Sequence, residues 1–200
     1  MRNKIILAMA AAGMMCASSA FAEDSGSGTI NFTGSVIDAP CSVSTDSQNI
    51  NVILGQVSKN RLKSENDSSD PKKITISLLN CSFETPQVSN SNPSGNTAPT
   101  YSKVAVAFTA PGSLAPAALK NGEIANTAPS GATNVVIQLL KSDGVSPVDL
   151  SKTELTQDDA TQLNTASETN DLIFYARMLA TGAATPGAVS ANVTYKLKYF

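Results

Sequence analysis

Residues 191–200 read Ala-Asn-Val-Thr-Tyr-Lys-Leu-Lys-Tyr-Phe, "ANVTYKLKYF", and they end the sequence. Ala191, Val193, Tyr195, Leu197 and Tyr199 fall on one side of an extended chain, and Asn192, Thr194, Lys196 and Lys198 on the other. Neighbouring side chains of a strand point to opposite faces, so this spacing predicts a β-strand with one face on a core. No later segment follows to cover the outer edge of such a strand. An uncovered edge of this length invites pairing with another chain.

The same period recurs upstream. Ile50, Val52 and Leu54 alternate; so do Ile74, Ile76 and Leu78, then Val104, Val106 and Phe108. Val135, Ile137 and Leu139 form a further set, and Leu172, Phe174, Ala176 and Met178 another. β-branched and aromatic residues fill these runs, as strands prefer. The connecting stretches are rich in Gly, Pro, Ser, Asn and Thr; the longest is Thr85 to Thr100, "TPQVSNSNPSGNTAPT". Many short alternating runs between turn-forming stretches predict an all-β sandwich. A short edge strand is expected at Glu123-Ile124-Ala125 and a helical turn within Ser151 to Asn170.

The first 22 residues stand outside that fold. Met1-Arg-Asn-Lys4 is basic, Ile5 to Met15 is apolar, and Ala20-Phe21-Ala22 is a small-x-small site. This is the pattern of a secretory signal peptide cut after Ala22, and the apolar run is too short to span a bilayer. Residues 23–200 then make one domain of ordinary size. Losing Arg2 and Lys4 from 14 basic residues leaves 12 against 16 acidic ones, a net charge of about −4. With no basic patch, nucleic acid is not an expected partner.

Residues 28–38, "GTINFTGSVID", raise a second edge problem. Ile30, Phe32 and Val36 share a face with Gly34, while Asn31, Thr33 and Ser35 share the other. This strand lacks an evident partner in a neighbouring hairpin. Either it lies beside the C-terminal strand of its own chain, or it is exchanged between chains; the pattern weighs the two equally.

The remaining chemistry is sparse. With no histidine in the sequence, neither a Ser-His-Asp nor a Cys-His arrangement can form. Asp158-Asp159 is an adjacent pair without the separation that acid–base work needs. Gly26-Ser-Gly28 lacks the lysine and helix of a phosphate loop and reads as a spacer. No enzyme, cofactor or metal is expected. Cys41 and Cys81, 40 positions apart, are the two cysteines beyond the leader. Export to an oxidising compartment favours a disulfide, worth about 4 kcal/mol on the chain-entropy model; two buried free thiols are the alternative.

Taken together, these residues resemble a chaperone–usher pilus subunit of the type 1 and P pilus kind. "INFTGSVIDAPCSV" resembles the family's N-terminal extension and first cysteine, and "SLLNCSF" the segment with the second. Tyr199 as the penultimate residue, Leu197, Tyr195 and Val193 before it, and Gly187 fourteenth from the end resemble its C-terminal signature. "SGATNVVIQLLKSDG" resembles the middle of major shaft subunits, and Phe200 departs from the glutamine common at the last position.

The resemblance implies an incomplete immunoglobulin-like sandwich lacking its final strand. Residues 23–37 would be a donor-strand extension, with Ile30, Phe32, Gly34 and Val36 as its docking face. Residues 38–200 would be the pilin domain, with an acceptor groove bordered by Gly187, Val193, Tyr195, Leu197, Tyr199 and Phe200. It also implies a Cys41–Cys81 disulfide, a periplasmic chaperone holding the carboxylate of Phe200, an outer-membrane usher, export through the periplasm to a surface fimbrium, and a homopolymer of neighbouring subunits. The expected function is a structural fimbrial subunit that supports adhesion. The alternative is a minor adaptor or adhesive subunit with a carbohydrate- or host-binding surface.

Overall fold

Ten strands and short helices, besides two 3-10 turns, lie among the described residues. They are β1 (Ser42–Val43), α1 (Thr45–Gln48), β2 (Lys72–Leu79), β3 (Lys103–Thr109), α2 (Pro116–Lys120), β4 (Glu123–Ala125), β5 (Val135–Leu140), β6 (Thr161–Gln162), β7 (Asn170–Ala180) and β8 (Thr194–Tyr199). The structure, a computed structural model, describes residues 28–83, 101–112 and 114–200. The expected signal peptide at 1–22 and the long connection Thr85–Thr100 lie outside the described residues. Two units separate by their contacts, residues 1–37 and Asp38–Phe200.

In the second unit the strands form two antiparallel sheets, one in the order β1-β2-β7-β5-β4 and the other β6-β3-β8. The registers follow the apolar faces. Ile74 lies opposite Phe174 and Ile76 opposite Leu172, while across the other sheet Val106 lies opposite Leu197 and Phe108 opposite Tyr195. Slipping a register by one residue would turn these faces outward, so burial fixes the pairing. Ile76, Leu78, Leu139, Leu172 and Ala176 of one sheet meet Val104 and Phe108 of the other in a single core. Phe108 and Phe174 close it edge to face, with ring centroids 4.9 Å apart. A smaller cluster of Leu62, Val135, Met178 and Ala180 fills one end. The Cys41–Cys81 disulfide links the residue before β1 to the turn after β2, and both cysteines are buried.

The expected edge strand at 123–125 is present as β4, and the turn expected within 151–170 is a short 3-10 turn at Gln157–Asp159. Two expectations need correction, and a third stretch, residues 28–37, stands without a ladder partner among the described residues. Ile50, Val52 and Leu54 form no strand, although their exposure still alternates with that of their neighbours. The C-terminal strand begins at Thr194, because its partner β3 stops at Thr109, just before Pro111, which has no N–H to give a ladder. Within 28–37 no strand is assigned. Two helical turns also went unforeseen. Ser44 caps α1 by accepting from the Ser47 amide, and Pro116 opens α2 at its first position, where a missing N–H costs nothing.

Candidate functional site

Among the described residues, β8 is the outermost strand of its sheet and pairs only with β3. Its apolar side is unfinished. Val189, Ala191, Val193, Tyr195, Leu197 and Tyr199 all pack on the core, yet each stays half-buried. Of the facing residues of β3, Val104 and Phe108 reach full burial, at 1% and 5% exposure, while Val106 stays half-buried. The intervening Asn192, Thr194, Lys196 and Lys198 are exposed. The alternation is therefore correct, and the described residues leave this face only partly covered.

Several bonds hold the strand in place. The Phe200 amide donates to the Lys103 carbonyl at 2.9 Å, and the Phe200 carbonyl accepts from the Ser102 and Lys103 amides. The Lys198 ammonium donates to the Leu155 carbonyl and stands 5.0 Å from the centre of the Phe200 ring. The Tyr195 hydroxyl donates to the Ser47 carbonyl at 2.7 Å. By contrast, the Tyr199 hydroxyl is buried with no hydrogen-bond partner among the described residues. Burial, with a smaller contribution from Tyr195, pushes its pKa up to about 12.

A second unpaired stretch was not recognised in the sequence as an edge. Residues 50–57 make no main-chain hydrogen bond to any other described residue. Ile53 is 77% exposed, while Val52, Leu54 and Val57 are half-buried. Leu54 packs on both apolar clusters, and so does Val189. The alternation at 50–54 was legible; its lack of a ladder partner was not.

Gly187 lies where the chain approaches β8. A Cβ there would collide with the Ala132 nitrogen and lie 2.6 Å from the Gly131 carbonyl carbon. Gly131 is equally crowded: a Cβ would sit 2.7 Å from Asn126 Nδ2 and 2.8 Å from the Ala188 oxygen. Asn126 binds both sides of this contact. Its Nδ2 donates to the Ala132 and Ala188 carbonyls, and its Oδ1 accepts from the Ala128 and Ser190 amides. An asparagine amide has two donors and an oxygen with two lone pairs, so this side chain is saturated. No motif marks Asn126 in the sequence.

Residues 28–37, a unit apart, carry the other expected set. Ile30, Phe32 and Val36 are 77%, 89% and 102% exposed, and a Cβ added at Gly34 would meet nothing within 4 Å. Three large apolar side chains so exposed in ten residues make a patch that calls for a partner.

Catalytic chemistry finds little support. A cleft of about 350 Å³ opens between β3 and β7, lined by Val104, Val106, Phe174, Lys152, Asp159 and Asp171 among others. The Lys152 ammonium bound to Asp159, with the Thr156 amide and hydroxyl, holds that carboxyl down to about 2. It is a carboxylate fixed by a cap, not one poised to exchange a proton near neutrality. Among the described residues, no three His, Cys, Asp or Glu side chains gather as a metal would need.

The comparisons with known proteins agree with this geometry. The family model described as fimbrial protein matches residues 30–200. The F17 fimbrial protein of Escherichia coli is 35% identical over 195 residues, covering 94% of this chain and 95% of that protein. The major MR/P fimbria protein of Proteus mirabilis is 34% identical over 199 residues, covering 98% of each. A chain from the structure of a chaperone–usher pilus superposes with a TM-score of 0.65 at 27% identity, covering 88% of this chain and 97% of that one. The two antiparallel sheets ending on β8 are thus an immunoglobulin-like sandwich, as expected. On the match of the family model and the near full-length relatives, this chain belongs to the fimbrial protein family.

Proposed function

We propose that this protein is the repeating structural subunit of a surface fimbrium, assembled by donor-strand exchange. Residues 28–37 of one subunit enter the open edge of the next, beside Val189 to Phe200. The observation that carries the reading is the half-buried apolar row of β8 and the segment before it, which matches in period the exposed row Ile30, Phe32 and Val36. β-strand addition supplies main-chain bonds for affinity and side-chain pockets for specificity, and pilin–chaperone pairing is itself a reference case of it. Each of the three apolar residues would contribute about 1.5–3 kcal/mol on full burial. Gly34 fits where the receiving groove is too shallow for a side chain. A contact between two different surfaces of identical subunits does not close, so it propagates as a filament.

Before assembly, a periplasmic chaperone covers the same edge and anchors the carboxylate of Phe200, and an outer-membrane usher delivers the subunit to the growing fibre. The disulfide accords with that export route. Adhesion follows from the display of subunit loops along the fibre. The test is deletion of residues 23–37 followed by electron microscopy of cells that carry the assembly proteins. Loss of fibres, with the subunit still accumulating in the periplasm, is expected; fibres from the truncated chain would overturn the reading.

A further inference from the structure

The chain between β7 and β8 is treated unequally along its length. Its first part is pinned to the connection between β4 and β5. The Thr181 amide donates to the Asn134 carbonyl, Asn134 Nδ2 donates to the Ala183 carbonyl, and the Thr133 amide donates to Thr185 Oγ1. Further on, the Ala132 amide donates to the Ala188 carbonyl at 2.9 Å and the Thr127 amide to the Ser190 carbonyl at 2.8 Å. Then the bonds stop: Ala191, Asn192 and Val193 make no main-chain hydrogen bond to described residues until the ladder starts at Thr194. Yet Val189, Ala191 and Val193 remain half-exposed apolar side chains. Left free, such a strap would lower its free energy by collapsing over the core and burying them.

We propose that Asn126, with the glycine contact Gly131–Gly187, is a clasp that holds this strap back and keeps the Val189–Val193 end of the accepting edge open to the strand of a second copy. This deepens the strand-exchange reading above and rests on it. Asn126 is a positioning residue: its four bonds join residues 128 and 132 of one loop to 188 and 190 of the strap, on either side of two glycines that leave no room for a Cβ. The clasp fixes the backbone at Ser190, and the next three residues keep their N–H and C=O groups for the incoming strand. Backbone groups already pointed and unpaired reduce the ordering that binding must impose.

The test is polymerisation of the purified mature chain carrying Asn126→Ala, followed by light scattering. The expected result is a rate at least about tenfold lower, equivalent to about 1.4 kcal/mol in the barrier. The finished fibre should keep its thermal midpoint, because the inserted strand then holds the strap. A purely structural Asn126 would do the reverse, lowering the midpoint and leaving the rate unchanged, and that result would overturn the proposal. Should Asn126→Ala fail to fold, amide exchange on the unaltered chain decides. Ser190 and Ala132 should be protected both before and after polymerisation, and Ala191, Asn192 and Val193 only after. Protection of these three before polymerisation refutes an open end. Fibres from the chain lacking 23–37 would remove strand exchange itself; abolished fibres there, with normal Asn126→Ala kinetics, remove only the clasp.

Discussion

The Tyr195 hydroxyl donates to the Ser47 carbonyl at 2.7 Å, across 148 positions of sequence. The bond ties the middle of the last strand to the one-turn helix α1, which follows the disulfide-anchored β1. Ser47 is itself buried, and its hydroxyl accepts from the Ser77 amide at 2.8 Å, so β2, α1 and β8 share one polar junction. The half-covered edge strand β8 is thereby fastened to the interior of the domain.

Tyr195→Phe removes the donor and leaves the Ser47 carbonyl without that partner. Stability of the purified subunit should fall by about 1–2 kcal/mol, the range for losing one partly buried hydrogen bond. Urea denaturation would read this as a lower midpoint at unchanged slope. An unchanged midpoint would mean that water replaces the tyrosine freely.

Two glycines, one before the last strand and one in the N-terminal extension, should behave differently. Gly187→Ala drives a Cβ into the backbone of Gly131 and Ala132, neither of which can rotate aside. A loss of about 2–4 kcal/mol is expected, the size typical of forced overpacking with a backbone shift. Gly34→Ala meets open space and should leave the midpoint of the unpolymerised subunit unchanged. Equal effects at the two positions would refute the close-approach account of Gly187.

How much of this was legible beforehand depends on which force shapes each residue. The strands with one face on the core, such as Ile74–Ile76–Leu78 and Val104–Val106–Phe108, declare themselves by period, because burial alone selects those side chains. The two cysteines declare themselves by compartment and number. Residues 50–54 carry the same period and yet form no ladder; side-chain alternation reports a burial pattern, whereas a strand also needs a neighbour's backbone. Asn126 was invisible. All four of its partners are main-chain groups, two of them more than 60 positions away at Ala188 and Ser190, and any sequence there supplies an amide and a carbonyl. Gly187 was noticed only as part of a pattern, and the crowded Ala132 nitrogen supplies its physical reason.

The disulfide should be a large single contribution. Replacing Cys41 and Cys81 by serine frees a loop of 40 positions in the unfolded chain, worth about 4 kcal/mol on the entropy model. Both sites are buried, so two hydroxyls also lose their water. Denaturation of the double variant against the oxidised parent would measure the difference. A difference below about 1 kcal/mol would show that the unfolded chain is already compact there.

Tyr199 predicts an alkaline limit. Its pKa is raised from 10.0 to about 12, chiefly by burial, so the unfolded chain ionises this phenol first. Its contribution is therefore intact below pH 10 and lost as pH rises from 10 to about 12. Tyr199→Phe should abolish that part of the decline, and removing a buried hydroxyl that has no partner should not harm the fold at neutral pH. Thermal midpoints of both proteins from pH 8 to 12 would check this, with the two curves separating only above about pH 10. Parallel curves throughout would place the hydroxyl in water.

The sharpest functional contrast lies at Gly34, where no neighbour within 4 Å limits the free subunit. Gly34→Val adds a β-branched side chain that the unpolymerised chain can carry without strain, so folding and chaperone capture should be unaffected. In the fibre the same side chain would meet a groove floor built for a hydrogen atom, and overpacking of that kind costs about 1–3 kcal/mol at each of many identical joints. Fibre yield should collapse while the chaperone-bound subunit accumulates, with Gly34→Ala falling between the two. The measurement is the ratio of polymer to chaperone complex on non-denaturing gels for the three chains. Full polymer yield from Gly34→Val would show that the groove has depth to spare, and the account of the glycine as a notch in the donor strand would fail.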